Sequence, residues 1–290
     1  MANRFEIVDV FAQRKYAGNQ LAVVHDADKL TDNEMQQIAQ EMNYSETTFI
    51  EGREKKKGGY DVRIFTPEAE IPFAGHPTLG TAYVIRRAYD EGDKITLNLG
   101  VGQIPVEIEE RSGRNVLWME QKSPTFGSEH DAEDLANVLG LNTSDINTEY
   151  PIQEVSTGLP TIVVPLRSLD AVKRAEVNRK EYYDLVEKTE AKLILVFCDE
   201  TYDEKNDLNV RVFADYYGVP EDPATGSSNG CLAGYLSEYG FLGGHEVDVR
   251  VEQGLEINRP SLLYLRARKG DEVEVNVGGS VIPVAEGNLI

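Results

Sequence analysis

The 290-residue sequence is poor in the residues that staple a small fold or hold a metal. It has 2 cysteines, Cys198 and Cys231, and 4 histidines. Two thiols so few and so scattered make neither a disulfide framework nor a zinc ligand set. Cys198 closes the apolar run LILVFC and reads as a core thiol. Basic residues are scarce too: 29 Lys and Arg stand against 50 Asp and Glu, for a formal net charge of -21. Nucleic acid and anionic membranes need clustered cations, so neither is expected as a partner. No run approaches the ~20 apolar residues of a membrane span. MANRFEIVDVF has no apolar signal-peptide core, so a soluble, cytoplasmic protein is expected. The acidic excess is spread along the chain, and a halophilic surface solvated in a salt-rich cytoplasm accounts for it as well as a binding role does.

What the chain does have is a profusion of strand-like segments, rich in β-branched and aromatic residues and broken by few helical patterns. RFEIVDVF, QLAVV, TTFIE, YDVRIF, LNVRVF and EVDVRVEQG are examples of the first. TDNEMQQIAQEM, which opens on a Thr/Asp cap, HPTLGTAYVIRRAYD, DAEDLANVLG, NRKEYYDLVEKT and SSNGCLAGYLSEYG are the second. The irregular order does not read as a parallel βαβ sheet. The halves also repeat one another. GNQLAVV (18–24) answers GLPTIVV (158–164), DVRIF (61–65) answers NVRVF (209–213), and Gly75 answers Gly226, at separations that widen slowly along the chain. A duplicated domain with small insertions leaves that trace. The expected division is residues 1–115, completed by a returning strand at 279–290, and residues 116–278, with the boundary near the polar EERSGRN (109–115).

In each half a strand ends, a loop of small residues follows, and a helix begins at a glycine. The first N–H groups of such a helix lack intrahelical partners and carry partial positive charge, which suits an anion. Gly75 and Gly226 let backbone approach a ligand, and Thr78 with Ser227 or Ser228 offers hydroxyls. A tight turn with a capping residue is the plainer account of each turn taken alone. The halves differ in the acid–base residues inserted. His76 follows Gly75 and has an unperturbed pKa suited to proton transfer near neutrality. Asp222 precedes Gly226 in EDPATG, and Glu46 enters the apolar strand SETTFIE, which is costly unless the carboxylate is paired or needed. A polar strand edge or a capping box preceding the strand is the other reading of Glu46.

GNQLAVV, SETTF, FTPEAEIPFAGHPTLGTA, EDPATGSSNG and EQG…RPS together resemble the phenazine-biosynthesis-like (PhzF-like) family, relatives of diaminopimelate epimerase, over essentially the whole chain. The resemblance implies an α+β fold of two similar domains, each a mostly antiparallel, barrel-like sheet around a central helix, with the active site in the cleft between them. It implies a cofactor-independent isomerase with no metal, acting on a small carboxylate-bearing molecule, and a homodimer. Glu46 would be the general acid/base, its pKa raised by an apolar setting. His76 and Asp222 would hold the substrate's amino or hydroxyl groups and assist proton transfer. Gly75, Gly226, Thr225 and Ser227 would grip the carboxylate, and Asn19 would line the cleft. Epimerase relatives use paired thiols at the two turns, but Ala74 and PATGSS occupy those places here, with Cys231 farther into the helix. Thiol-based racemisation is therefore not expected. A non-catalytic carboxylate-binding or sensing protein is the alternative from another class.

Overall fold

A computed structural model describes residues 3–111 and 113–290. The chain divides into two units, Met1–Met119 with Gly278–Ile290, and Glu120–Val277.

The first unit runs β1 (Asn3–Val10), β2 (Asn19–Val24), α1 (Asp32–Met42), β3 (Thr47–Ile50), β4 (Tyr60–Phe65), β5 (Glu70–Ile71), α2 (Gly75–Ala88), β6 (Lys94–Leu99), β7 (Gly102–Arg111) and β8 (Arg114–Gln121). Strands β1 and β2 pair antiparallel, β2 and β3 parallel, and β3 and β4 antiparallel. Then β4 meets β5 antiparallel and β6 parallel, and β6, β7 and β8 form an antiparallel meander. The second unit runs β9 (Thr125–His130), α3 (Ala132–Leu139), β10 (Ile152–Ser156), β11 (Pro160–Pro165), α4 (Leu169–Arg174), α5 (Arg179–Val186), β12 (Leu193–Cys198), β13 (Leu208–Ala214), β14 (Val219–Asp222), α6 (Gly226–Tyr239), β15 (Glu246–Gln253), β16 (Ser261–Lys269) and β17 (Val273–Gly279). Its pairings from β10 to β16 follow the same succession: antiparallel, parallel, antiparallel, antiparallel to the short strand, parallel, antiparallel. The last strand, β18 (Val281–Leu289), returns to pair antiparallel with β1.

One helix in each unit is central. Helix α2 buries His76, Pro77, Thr78, Leu79, Gly80, Thr81, Ala82, Val84 and Ile85, an almost uninterrupted run. Helix α6 is buried from Ser228 through Ser237. Burial on all sides, in place of a single apolar stripe, is the mark of a helix enclosed by sheet. Glycine lets neighbours close in: a Cβ on Gly80 would lie 2.5 Å from Leu21 Cδ2, and one on Gly234 would lie 2.7 Å from Pro124 Cβ. Helix α1, by contrast, lies outside, opened by a capping box between Thr31 and Glu34 and burying only Met35 and Ala39.

Some elements are not expected from the sequence. EVSTGLPTIVVPL folds as the β10–β11 hairpin. In the polar stretch 109–115, residues 109–111 end β7 and 114–115 begin β8, with Arg111 facing Arg114, and Ser112 lies outside the described residues. The short β5, β14 and α4 have too few residues to show a period, and β9, TFGSEH, has no apolar alternation. No helix among the described residues is long and apolar enough to cross a membrane.

Candidate active site

Both glycine turns of the sequence become helix starts of the same construction. Ala74 is the N-cap of α2 and Thr225 that of α6, and neither side chain caps the helix. Neither first turn contains an acidic residue. The outer helices differ: Thr31, Ser168 and Asn178 cap α1, α4 and α5, and each of α1, α3, α4 and α5 places an acidic residue in its first turn. At the two central helices, therefore, no side-chain cap or first-turn carboxylate offsets the positive end of the dipole.

In the first unit the turn brings Glu46 and His76 together. Glu46 Oε2 lies 3.4 Å from His76 Nε2, with the side chains 17% and 8% exposed. Glu46 sits in the connection just before β3, so of the two readings of its place the one that puts it ahead of the strand holds; TTFI itself is buried throughout. The His76 ring also hydrogen-bonds the backbone of Gln20. Nε2 forms no well-aligned hydrogen bond among the described residues, so that bond uses Nδ1. Burial pushes the imidazole down to about 3, only partly offset by the Gln20 bond. His76 is thus neutral at physiological pH, and the expectation that it titrates near neutrality is corrected, because α2 is enclosed. With the proton on Nδ1, Nε2 presents a lone pair toward Glu46 Oε2, so the contact is not an ion pair. Asn19, 3% exposed, opens β2 one residue before Gln20. The Thr78 hydroxyl donates to the Ala74 carbonyl at 2.7 Å, so it serves its own helix.

In the second unit Asp222 ends β14, and Thr225 Oγ1 donates to Asp222 Oδ2 at 2.5 Å. Gln253, fully buried at the end of β15, ties the turn together. Its Oε1 accepts from Thr225 N at 3.2 Å and from Asn229 Nδ2 at 2.8 Å. Its Nε2 donates to the Asp222 carbonyl at 2.8 Å and to Thr225 Oγ1 at 3.1 Å. The next residue, Gly254, has φ +76°, and a Cβ there would meet the Pro223 carbonyl at 2.6 Å, so only glycine lets the strand end press on the turn. Gln253 and Asn229 were not among the expected site residues. The signal for Gln253 was a polar side chain closing EVDVRVEQ directly before a glycine. Gly226 is buried at the helix start and Ser227 beside it is half-buried. Ser228 Oγ lies 2.9 Å from Thr161 Oγ1 in the core, so this hydroxyl is spent internally, as is Thr81 against Thr48 at 2.8 Å in the first unit.

Neither thiol stands at a helix start. Burial pushes Cys198 up to about 12 and raises Cys231, which contacts the Leu159 carbonyl at 3.6 Å. Both are inert core groups.

A two-unit α+β fold with enclosed helices of this kind is shared by a probable proline racemase from Agrobacterium radiobacter, with a TM-score of 0.61 over 99% of this chain and 93% of that one. At 8% identity, that likeness concerns fold alone. Closer relatives carry more. The trans-2,3-dihydro-3-hydroxyanthranilate isomerase of Pseudomonas aeruginosa is 35% identical over 98% of each chain. The uncharacterized isomerase YfhB of Bacillus subtilis is 32% identical over 94% of each. The crystal structure of a Bacillus anthracis phenazine biosynthesis protein of the PhzF family superposes with a TM-score of 0.92 at 30% identity, covering 100% and 99% of the two chains. The family model for phenazine biosynthesis-like proteins matches residues 8–287. The chain belongs to the phenazine biosynthesis-like family, and it is an enzyme of the isomerase class.

Proposed function

We propose that this isomerase moves one proton within a small, unsaturated carboxylate-bearing substrate, with Glu46 as the single acid/base. The ionised Glu46 takes a proton from carbon, and the electron pair left behind spreads through the conjugated system toward the substrate carboxylate. Glu46 then returns the proton to a different carbon, so product and substrate have the same atoms and no electrons are gained or lost. The observation that carries the reading is the 3.4 Å approach of Glu46 Oε2 to the neutral His76 Nε2. Once Glu46 holds the proton, it can donate to that lone pair, so the acid form is held in place between the two transfers. The N–H groups at Gly75 and Gly226, with Ser227, are assigned to the carboxylate, and Asp222 and His76 to the substrate's amino or hydroxyl groups; Thr225, whose N–H and hydroxyl donate to Gln253 and Asp222, supports that turn instead of meeting the carboxylate directly. Asn19 is assigned to the wall beside His76. The reaction so written calls for no metal or organic cofactor.

The substrate named for the Pseudomonas aeruginosa relative is the first to try. Incubated in D₂O with trans-2,3-dihydro-3-hydroxyanthranilate, the wild type should give isomer, and Glu46→Gln should lose about 10³-fold or more in kcat while still binding. Turnover that survives Glu46→Gln sinks the assignment. Binding without turnover in the wild type would favour the sensing alternative.

A further inference from the structure

We propose that Gln253 is a positioning residue for this reaction, acting on Asp222 through the Thr225 hydroxyl; the inference rests on the reading that Asp222 meets substrate. The geometry fixes the direction of each bond. An amide Nε2 can only donate, so at 3.1 Å it occupies a lone pair of Thr225 Oγ1. The hydroxyl hydrogen is then turned to Asp222 Oδ2, 2.5 Å away. The same amide is locked from its other side, because Oε1 accepts from Thr225 N and Asn229 Nδ2, and Nε2 also donates to the Asp222 carbonyl. Gln253 cannot flip without breaking these bonds, and it is fully buried. Asp222 is thereby held at both its backbone and one carboxylate oxygen. The first unit's turn uses a different device, the His76 ring donating from Nδ1 to the Gln20 backbone carbonyl.

Gln253→Leu and Thr225→Val each cut the chain at a different link, the second while leaving Gln253 its other bonds. With trans-2,3-dihydro-3-hydroxyanthranilate as probe, each should lower kcat about 5- to 10-fold, no more than the loss expected of Asp222→Asn, and change KM less than threefold. The double variant should be no worse than the poorer single, since the links act in series. Thr225→Ser, which restores the hydroxyl, should recover most of the kcat lost in Thr225→Val. Crystal structures of Gln253→Leu and Thr225→Val should show the Asp222 carboxylate displaced. Wild-type kcat in both single variants, losses that multiply in the double, or an unmoved carboxylate overturns the proposal. Should Gln253→Leu fail to fold, Thr225→Val and its serine rescue decide alone. Turnover retained in Glu46→Gln breaks the reading of the reaction instead; turnover lost there but intact in the Gln253 and Thr225 variants breaks only this inference.

Discussion

The starts of α2 and α6 are built alike, each preceded by a short strand, each lacking a side-chain cap, each opened by glycine. Their surroundings are not alike. The first holds a carboxyl group against a neutral imidazole. The second holds Asp222 in a lattice of amide and hydroxyl bonds from Thr225, Asn229 and Gln253. Two helix starts of one construction thus carry different side chains around them. The pairing of β10 through β16 repeats that of β1 through β7, so the difference lies in a handful of side chains placed on one backbone plan.

The sharpest way to break this contrast is to disable each end in turn. His76→Leu removes the ring facing Glu46 and should lower kcat about 10²-fold, measured by isomer formation; an effect below threefold would mean the pair does no chemistry. Asp222→Asn keeps the shape of the second turn and should cost about 10-fold in kcat/KM, a smaller loss than at the first turn. The opposite ranking would exchange the roles assigned to the two ends.

The buried ring also predicts a pH signature. His76 has an ordinary pKa of 6.5 when unfolded and about 3 when folded, so the unfolded chain binds the extra proton first. Stability from this group is fully present above pH 6.5 and is lost as pH falls toward 3, by on the order of 4 kcal/mol over the window. Denaturant midpoints across that range should be flatter in His76→Gln than in the wild type, and parallel profiles would refute a neutral buried ring. Smaller still is the effect expected at Cys231. Cys231→Ala should leave kcat within about twofold and lower the unfolding temperature by a few degrees, as for a small core deletion. A large loss of activity would restore a thiol to the mechanism. Last, the -21 charge predicts an unfolding temperature that climbs from low salt to molar potassium chloride, and a flat profile would remove the high-salt reading of the surface.

Much of the site was legible because it is written locally. The order strand, small residues, glycine, helix needs no distant partner to be seen, and it located Gly75, His76, Asp222, Thr225, Gly226 and Ser227 on two helix starts. Glu46 was legible as an unusual carboxylate, within the strand or just ahead of it, and the apolar TTFI beside it masked which of the two holds. Thr78 and Ser228 looked like ligands because a hydroxyl in a helix's first turn gives no sign of its partner; one bonds its own turn and the other the core. Gln253 stood in the EQG element but without a visible partner, for a similar reason, its bonds reaching back from the end of β15 to the turn after β14.

The sequence by itself determined the repeated plan, the two positive helix ends and the absence of thiols from them, all of which follow from short-range pattern and residue chemistry. Only the tertiary structure decided that His76 is neutral, that its Nε2 faces Glu46 and that Gln253 commands the second turn. Desolvation and long-range hydrogen bonds come into being when the sheet closes over the central helices, and no window of sequence contains them.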